Sequence, residues 1–160
     1  MHLFNFPDYS SFRIRKEHGE AEIFDVIRKK FVRLTPEESV RQHLLRFLAE
    51  EKKFPASLIA VEKELSVAGI KKRTDVVVYS NLAEPLLIAE CKSPDVKLDQ
   101  STFDQAARYN LSLMATCFLL TNGLIHFCCR PDGTGKKYEF LQELPSYSEL
   151  VSAKNASKVL

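Results

Sequence analysis

Two charged residues interrupt a run that otherwise has to be buried. Leu86-Leu87-Ile88-Ala89-Glu90-Cys91-Lys92 is apolar at all positions but two, and a short continuous apolar run fits a strand covered on both faces. Glu90 and Lys92 stand two apart, so they leave the same face about 6.6 Å from each other. Burying charges is costly unless they are paired or bind a metal, so this strand either pairs its charges or uses them. Just upstream, Thr74-Asp75-Val76-Val77-Val78-Tyr79 reads as a β-branched strand carrying Asp75 on the face of Val77 and Tyr79. An acid on one strand and acid-x-lysine on the next supply two hard oxygen ligands for Mg²⁺, whose remaining positions keep water and phosphate oxygens. The lysine can stabilise charge on a phosphate or an attacking hydroxide. The competing account is an internal Glu90–Lys92 ion pair that fixes the fold.

With 160 residues, the chain has room for one folded unit with a sizeable core. We divide it into an N-terminal hairpin extension over 1–34, a core over 35–130 and a C-terminal extension over 131–160. A hydrophobic share of 45% and a charged share of 28% are ordinary for a globular domain. No apolar run approaches the length of a membrane span, and the N-terminus lacks the basic region and apolar core of a signal peptide. A cytoplasmic protein with no membrane partner is expected. Cys91, Cys117, Cys128 and Cys129 lie in apolar segments without Cys-x-x-Cys spacing and read as reduced core residues. A net charge of +2 is too mild to indicate nucleic acid alone. Local clusters say more: Arg13, Arg15 and Lys16; Arg28, Lys29, Lys30 and Arg33; Lys71, Lys72 and Arg73. The last ends beside Asp75, where a basic rim would meet phosphates; each cluster can equally be solvated surface charge.

Along the chain, Phe12 to Arg15 and Glu22 to Val26 predict a hairpin with a longer turn. Thr35, Pro36 and Glu38 form a Thr-x-x-Glu capping box with proline at the first helical position. Val40, Leu44, Leu45 and Leu48 continue it as an apolar stripe, and Pro55 ends the helix. Leu58 to Leu65 reads as a strand. Gly69 and the basic run are expected to turn into the Asp75 strand, giving a three-strand antiparallel meander that stops at Ser93-Pro94. A second helix is expected from about Ser101, its cap, through Met114. Asn122-Gly123 signals a hairpin joining Thr116–Thr121 to Leu124–Cys129, and the second helix can serve as a crossover, making the sheet mixed. Beyond Arg130 the sequence reads as polar and turn-rich, frayed after about Asn155. Gly133-Thr134-Gly135-Lys136-Lys137 lacks the lead-in and the Ser/Thr of a phosphate loop, so it reads as a turn and no ATP site is expected.

Gln105 and Tyr109 stand four apart on the second helix and face one way. Asp75, then Glu90-Cys91-Lys92, then Gln105-x-x-x-Tyr109 resembles the PD-(D/E)XK nuclease superfamily. The chain is most similar to the N-terminal nuclease domain of type I restriction enzyme R subunits. The resemblance rests on Thr35-Pro36-Glu37-Glu38-Ser39-Val40-Arg41-Gln42, Arg73 to Tyr79, Ala89 to Pro94, Gln105 to Tyr109 and Leu120-Thr121-Asn122-Gly123, and covers about 35–130. It implies an α/β, restriction-endonuclease-like fold, a central mixed sheet flanked by helices with a small N-terminal hairpin. The implied activity is Mg²⁺-dependent endonuclease cleavage of DNA, with Mn²⁺ as a substitute metal, linked to a type I restriction-modification system.

The resemblance also assigns roles. Asp75, Glu90 and the Cys91 carbonyl would hold the metal, with Glu38 as the helical acid, a place that Glu37 beside it could fill instead. Lys92 would stabilise the phosphorane-like charge, and Gln105 and Tyr109 would support the site. Arg41 would pair with Glu38 or touch DNA, beside Lys71, Lys72 and Arg73. R subunits are joined to an ATP-driven translocase; none is expected within these 160 residues, so a separate motor, modification subunits or a second copy of the chain are the partners in view besides DNA. The alternative is a nucleic-acid-binding or structural subunit that keeps the fold without cutting.

Overall fold

The computed structural model describes residues 4–8, 11–134 and 137–159. Two sheets organise them. β1 (Ile14–Glu17), β2 (Glu20–Asp25) and β3 (Lys30–Arg33) form an antiparallel three-stranded sheet. The turn between β1 and β2 is only His18-Gly19, both at positive φ, so the hairpin is tighter than its sequence suggests. The Lys30–Arg33 segment adds a third strand where the sequence offers only an approach to the helix.

Helix α1 (Pro36–Arg46) follows, with Thr35 Oγ1 accepting the Glu38 N–H at 3.0 Å. It widens into a π-helical turn at Phe47–Glu51, so the helix is over before Pro55. The second sheet runs in the order β4 (Ile59–Val67), β5 (Ile70–Tyr79), β6 (Pro85–Cys91), β7 (Cys117–Thr121), β8 (His126–Pro131), β9 (Tyr138–Leu141). β4, β5 and β6 are the expected antiparallel meander. α2 (Gln100–Leu113) then carries the chain over, so that β7 pairs parallel to β6. α3 (Tyr147–Ser157) closes the fold.

The alternation of strand side chains sorts the core into two layers. Val76, Val78, Leu87, Ala89 and Leu119 pack beneath Val40, Leu44 and Leu45 of α1, Leu48 of the π-helical turn and Leu150 of α3. Val77, Ile88, Phe118 and Leu120 pack on the other face under Phe103, Ala106 and Ala107 of α2. The six-stranded sheet is thus sandwiched between helices, and its central strands are buried on both faces, as the unbroken apolar runs demand. All four cysteines are free and buried. Among the described residues no helix is long and apolar enough to cross a membrane.

Several local expectations are corrected. The basic run Lys71-Lys72-Arg73 lies inside β5, because the turn is confined to Ala68-Gly69, both at positive φ. α2 is capped by Asp99, whose Oδ1 accepts the Thr102 N–H at 2.9 Å, two residues before Ser101. The β7–β8 connection is a four-residue loop because the Asn122 carboxamide oxygen accepts from Leu124 and Ile125 N–H at 3.0 and 2.9 Å, an Asx turn in place of a two-residue one. The polar C-terminal stretch contributes β9, paired with β8, and α3, held by a Ser146/Glu149 capping box. α3 continues past Asn155. Gly135 and Lys136 of the 133–137 segment lie outside the described residues; flanking it, the Asp132 N–H donates to the Lys137 carbonyl at 3.0 Å.

Gly123 sits where three segments meet. Its φ is +86°, its carbonyl accepts the Asn5 N–H at 2.7 Å, and a Cβ there would lie 2.8 Å from Phe4 and 3.1 Å from fully buried Val40. Gly123→Ala therefore combines backbone strain with overpacking and should cost about 1–3 kcal/mol, seen as a lower midpoint in denaturant unfolding with an unchanged m-value.

Candidate active site at the open end of the β5–β6 ladder

Strands β5 and β6 pair only as far as Val76↔Ala89, which puts Asp75 and Glu90 just past the end of the ladder. The backbone N–H of Cys91 donates instead to Asp75 Oδ2 at 2.7 Å. A side-chain oxygen thus replaces a strand carbonyl, and the two strands part there. Glu90 is 19% exposed, and the Lys92 ammonium stands 3.3 Å from its Oε1. Burial pushes the Glu90 carboxyl upward, and the negative charge of Asp75 pushes it further; Lys92 and Lys72 only partly offset this. The three groups picked out by strand spacing therefore meet at one end of the β5–β6 ladder.

α2 borders the site through Tyr109. Its hydroxyl donates to the Lys72 carbonyl at 3.4 Å, and the Lys72 ammonium lies 4.2 Å from the centre of its ring, within cation–π range. Burial and the charge of Glu90 both raise the Tyr109 phenol. Gln105, one turn earlier, is solvent-exposed. Arg73 is exposed with Glu62 at 3.6 Å, and Lys71 is exposed with Glu64 at 3.7 Å, so β5 carries both along the rim of the site.

The first turn of α1 presents two acids with different surroundings. Glu37 is half-exposed at its side chain, and its carboxyl is raised by burial and by Asp75, against the lowering pull of Arg41 and Lys92. Glu38 is buried and turned away: its Oε1 accepts from Arg28 Nη2 at 2.6 Å and Gln42 Nε2 at 2.9 Å, and its Oε2 from Arg41 Nη1. The capping box is half made. Thr35 caps the helix, but its own N–H donates to the Arg33 carbonyl and the Glu38 side chain goes to the arginines.

Arg41 is 4% exposed, and its Nη2 donates to Asp75 Oδ1 at 2.8 Å. Burial works against its charge, yet Asp75 and Glu38 together hold the guanidinium protonated more firmly than usual. Of the two roles in view for Arg41, the structure shows the pairing with Glu38, extended to Asp75; buried inside the protein, its guanidinium is not presented to DNA. Arg28, grouped by sequence with surface cations, is nearly buried too, bonding Asp25, Glu38 and Glu62 through its three nitrogens at 2.6–2.8 Å. Glu62 stands in β4 between the pairs Val61↔Val76 and Lys63↔Thr74, and adopts φ +52°, a left-handed conformation that costs a non-glycine residue about 1–2 kcal/mol. Sequence reasoning missed Asp25 and Glu62. Nothing in a strand pattern marks a left-handed glutamate, and Asp25 reads as a polar strand end. Among the described residues no three His, Cys, Asp or Glu side chains stand close enough to form a ready-made metal cage.

The comparisons with known proteins agree with this architecture. Residues 36–145 match the family described as type I restriction enzyme R protein N terminus. No curated protein matches the chain. Among solved structures, a fragment described as an HsdR subunit of a type I restriction enzyme from Vibrio vulnificus YJ016 superposes with a TM-score of 0.59 at 18% identity. The match covers 79% of this chain and 26% of that one, so the chain spans about a quarter of its length; the similarity is one of fold. By the family match, which takes in the first helix, both charged strands, the crossover and the rest of the six-stranded sheet, this chain belongs to the type I restriction enzyme R protein N-terminus family.

Proposed function

We propose that the chain is a Mg²⁺-dependent deoxyribonuclease domain of a type I restriction system, hydrolysing DNA phosphodiester bonds at the open end of the β5–β6 ladder. The observation that carries this reading is the meeting of Asp75 and Glu90 at the opening of the ladder, with Lys92 3.3 Å from Glu90 and with burial and the charge of Asp75 raising the carboxyls of both Glu90 and Glu37. Arg41, bonded to Asp75 and Glu37, and Lys92 only partly offset this negative charge, and a hard cation would offset more of it. The donors fit Mg²⁺, or Mn²⁺ in its place: Asp75 carries one hydrogen bond on each oxygen, leaving each a free lone pair, and Glu90 lies beside it. The Cys91 carbonyl is the remaining candidate donor on β6. Glu37 is the helical acid we assign to the site, because Glu38 is committed to Arg28, Arg41 and Gln42.

When bound, the metal would withdraw charge from the scissile phosphate and make water more acidic. The chain's own residues supply the rest. Lys92 stabilises the charge that builds on the phosphate oxygens. Tyr109 holds Lys72 beside Glu90, and Lys71, Lys72 and Arg73 meet the backbone of the incoming strand. Gln105, exposed one helical turn from Tyr109, is placed to contact the same strand.

A second reading, a subunit that binds DNA without cutting, draws support from the Asp75–Arg41 bond, since a guanidinium beside a metal ligand opposes the metal's charge. A plasmid assay separates the two. Supercoiled DNA should be nicked with Mg²⁺ or Mn²⁺ and not with EDTA, and Asp75→Ala or Lys92→Ala should each lower the rate by about 10²-fold or more. DNA binding that survives EDTA and both substitutions, without nicking, would establish the non-cleaving subunit instead.

The acid cluster also sets a pH dependence. Because the folded-state carboxyls of Glu90 and Glu37 are raised above the ordinary value of 4.5, the native state binds more protons than the unfolded one above that pH. Their contribution to stability therefore falls as pH rises from 4.5 through the raised values. Metal-free protein should lose this contribution on going to neutral pH, and millimolar Mg²⁺ should restore it, raising Tm at pH 7.5 by more than at pH 5. In Glu90→Gln, scanning calorimetry should find a metal-free Tm at or above wild type and most of the Mg²⁺ response gone.

A further inference from the structure

One continuous line of acids and arginines runs from the N-terminal sheet to Asp75. It begins at Asp25, at the end of β2, which is fully buried. Its Oδ1 accepts the backbone N–H groups of Ile27 and Arg28 at 2.8 and 2.7 Å, so the local chain fixes its carboxylate. Its Oδ2 accepts from Arg28 Nε at 2.6 Å and Gln42 Nε2 at 2.8 Å. Arg28 passes the line to Glu38, Glu38 to Arg41, and Arg41 to Asp75. Gln42 braces it by bonding both Asp25 and Glu38. Every link is a charge-assisted hydrogen bond in a partly or fully buried setting, where such bonds are strong and directional.

From this we infer that the three-stranded N-terminal sheet is a positioning element of the candidate active site, acting through Asp25 and Arg28 on the orientation of Asp75. The inference deepens the nuclease reading and rests on it for what Asp75 does. If the sheet served only to cover α1, nothing in it would need to reach beyond Glu38. Here, two buried guanidinium forks carry its geometry into the strand with the metal-facing acids. Arg28 bonds through all three of its nitrogens, which leaves its fork little freedom to turn. Asp75 is consequently gripped from two sides, by Arg41 on Oδ1 and by the Cys91 N–H on Oδ2. Groups that orient metal ligands from behind commonly matter 10- to 100-fold to affinity or rate.

The Cys91 amide reports on this grip without metal or substrate. In Arg28→Gln, its hydrogen exchange should accelerate about tenfold more than that of the amides of Leu119 and Leu120 in central β7, which report on the fold as a whole. The half-saturating Mg²⁺ concentration for nicking should rise about tenfold, with KM for DNA within twofold of wild type. A Cys91 amide that exchanges at the wild-type rate, or speeds up only in step with Leu119 and Leu120, overturns the inference, because a merely structural sheet would loosen the whole fold together. Should Arg28→Gln fail to fold, Arg28→Lys keeps the charge, gives up the fork and is judged by the same amide. If wild-type protein shows no metal-dependent nicking, the nuclease reading falls, and the Cys91 amide still decides whether the sheet positions Asp75.

Discussion

The structure turns on a guanidinium buried between two carboxylates. The Arg41 guanidinium, carried on the first helix, bonds Glu38 of the same helix and Asp75 of β5, and each of the three would be costly to bury without the others. Removing one partner from such a set typically costs about 3–5 kcal/mol, because the group left behind is an uncompensated charge. The arrangement of α1 follows from this. Thr35 and Pro36 start the helix where Glu37 and Glu38 occupy its first turn, acids that the positive end of the helix dipole favours. Arg41 then stands one turn on, on the side that meets β5.

Beside these paired charges, the neighbouring acids are left only partly neutralised. Glu37 and Glu90 are raised by burial and by Asp75, and Lys92 is shared among them. Glu62 adds a strained backbone within the same few residues of sheet, its φ of +52° turning its carboxylate to Arg28 at 2.8 Å. Strain and repulsion are thus concentrated in one place, beside two apolar layers that are buried.

Much of this was legible in the chain, and the exceptions have physical causes. The β4–β5–β6 meander, the crossover α2 and the parallel β6–β7 pair follow from buried strands that show no alternation and from one amphipathic helix between them. Asp75, Glu90 and Lys92 were legible because charge in a buried strand is conspicuous. The pairing of Arg41 with Glu38 was in view, but its reach to Asp75 and the burial of Arg28 were not. A cation on a helix or in a turn looks the same in sequence whether it meets water or a buried acid, and only the packing of the N-terminal sheet against α1 decides. β3 and α3 were hidden for another reason: Lys30–Arg33 and Tyr147–Ser157 bury few side chains, so neither leaves a strong period. The capping box misled in part, since Thr35 plays its role while Glu38 is drawn off by stronger partners.

The line from Asp25 to Asp75 joins residues fifty positions apart, and its links come from a strand, a turn, a helix and a strand of another sheet. No part of it gains much alone. A half-built version would strand a charge away from water, so its intermediate forms are disfavoured. Assembly of these groups therefore belongs late on the folding route, after the apolar layers have closed and loop-closure entropy has been met. A nascent chain that has emerged only as far as α1 would hold Arg41 without Asp75, its guanidinium still hydrated, and could not yet commit to this arrangement.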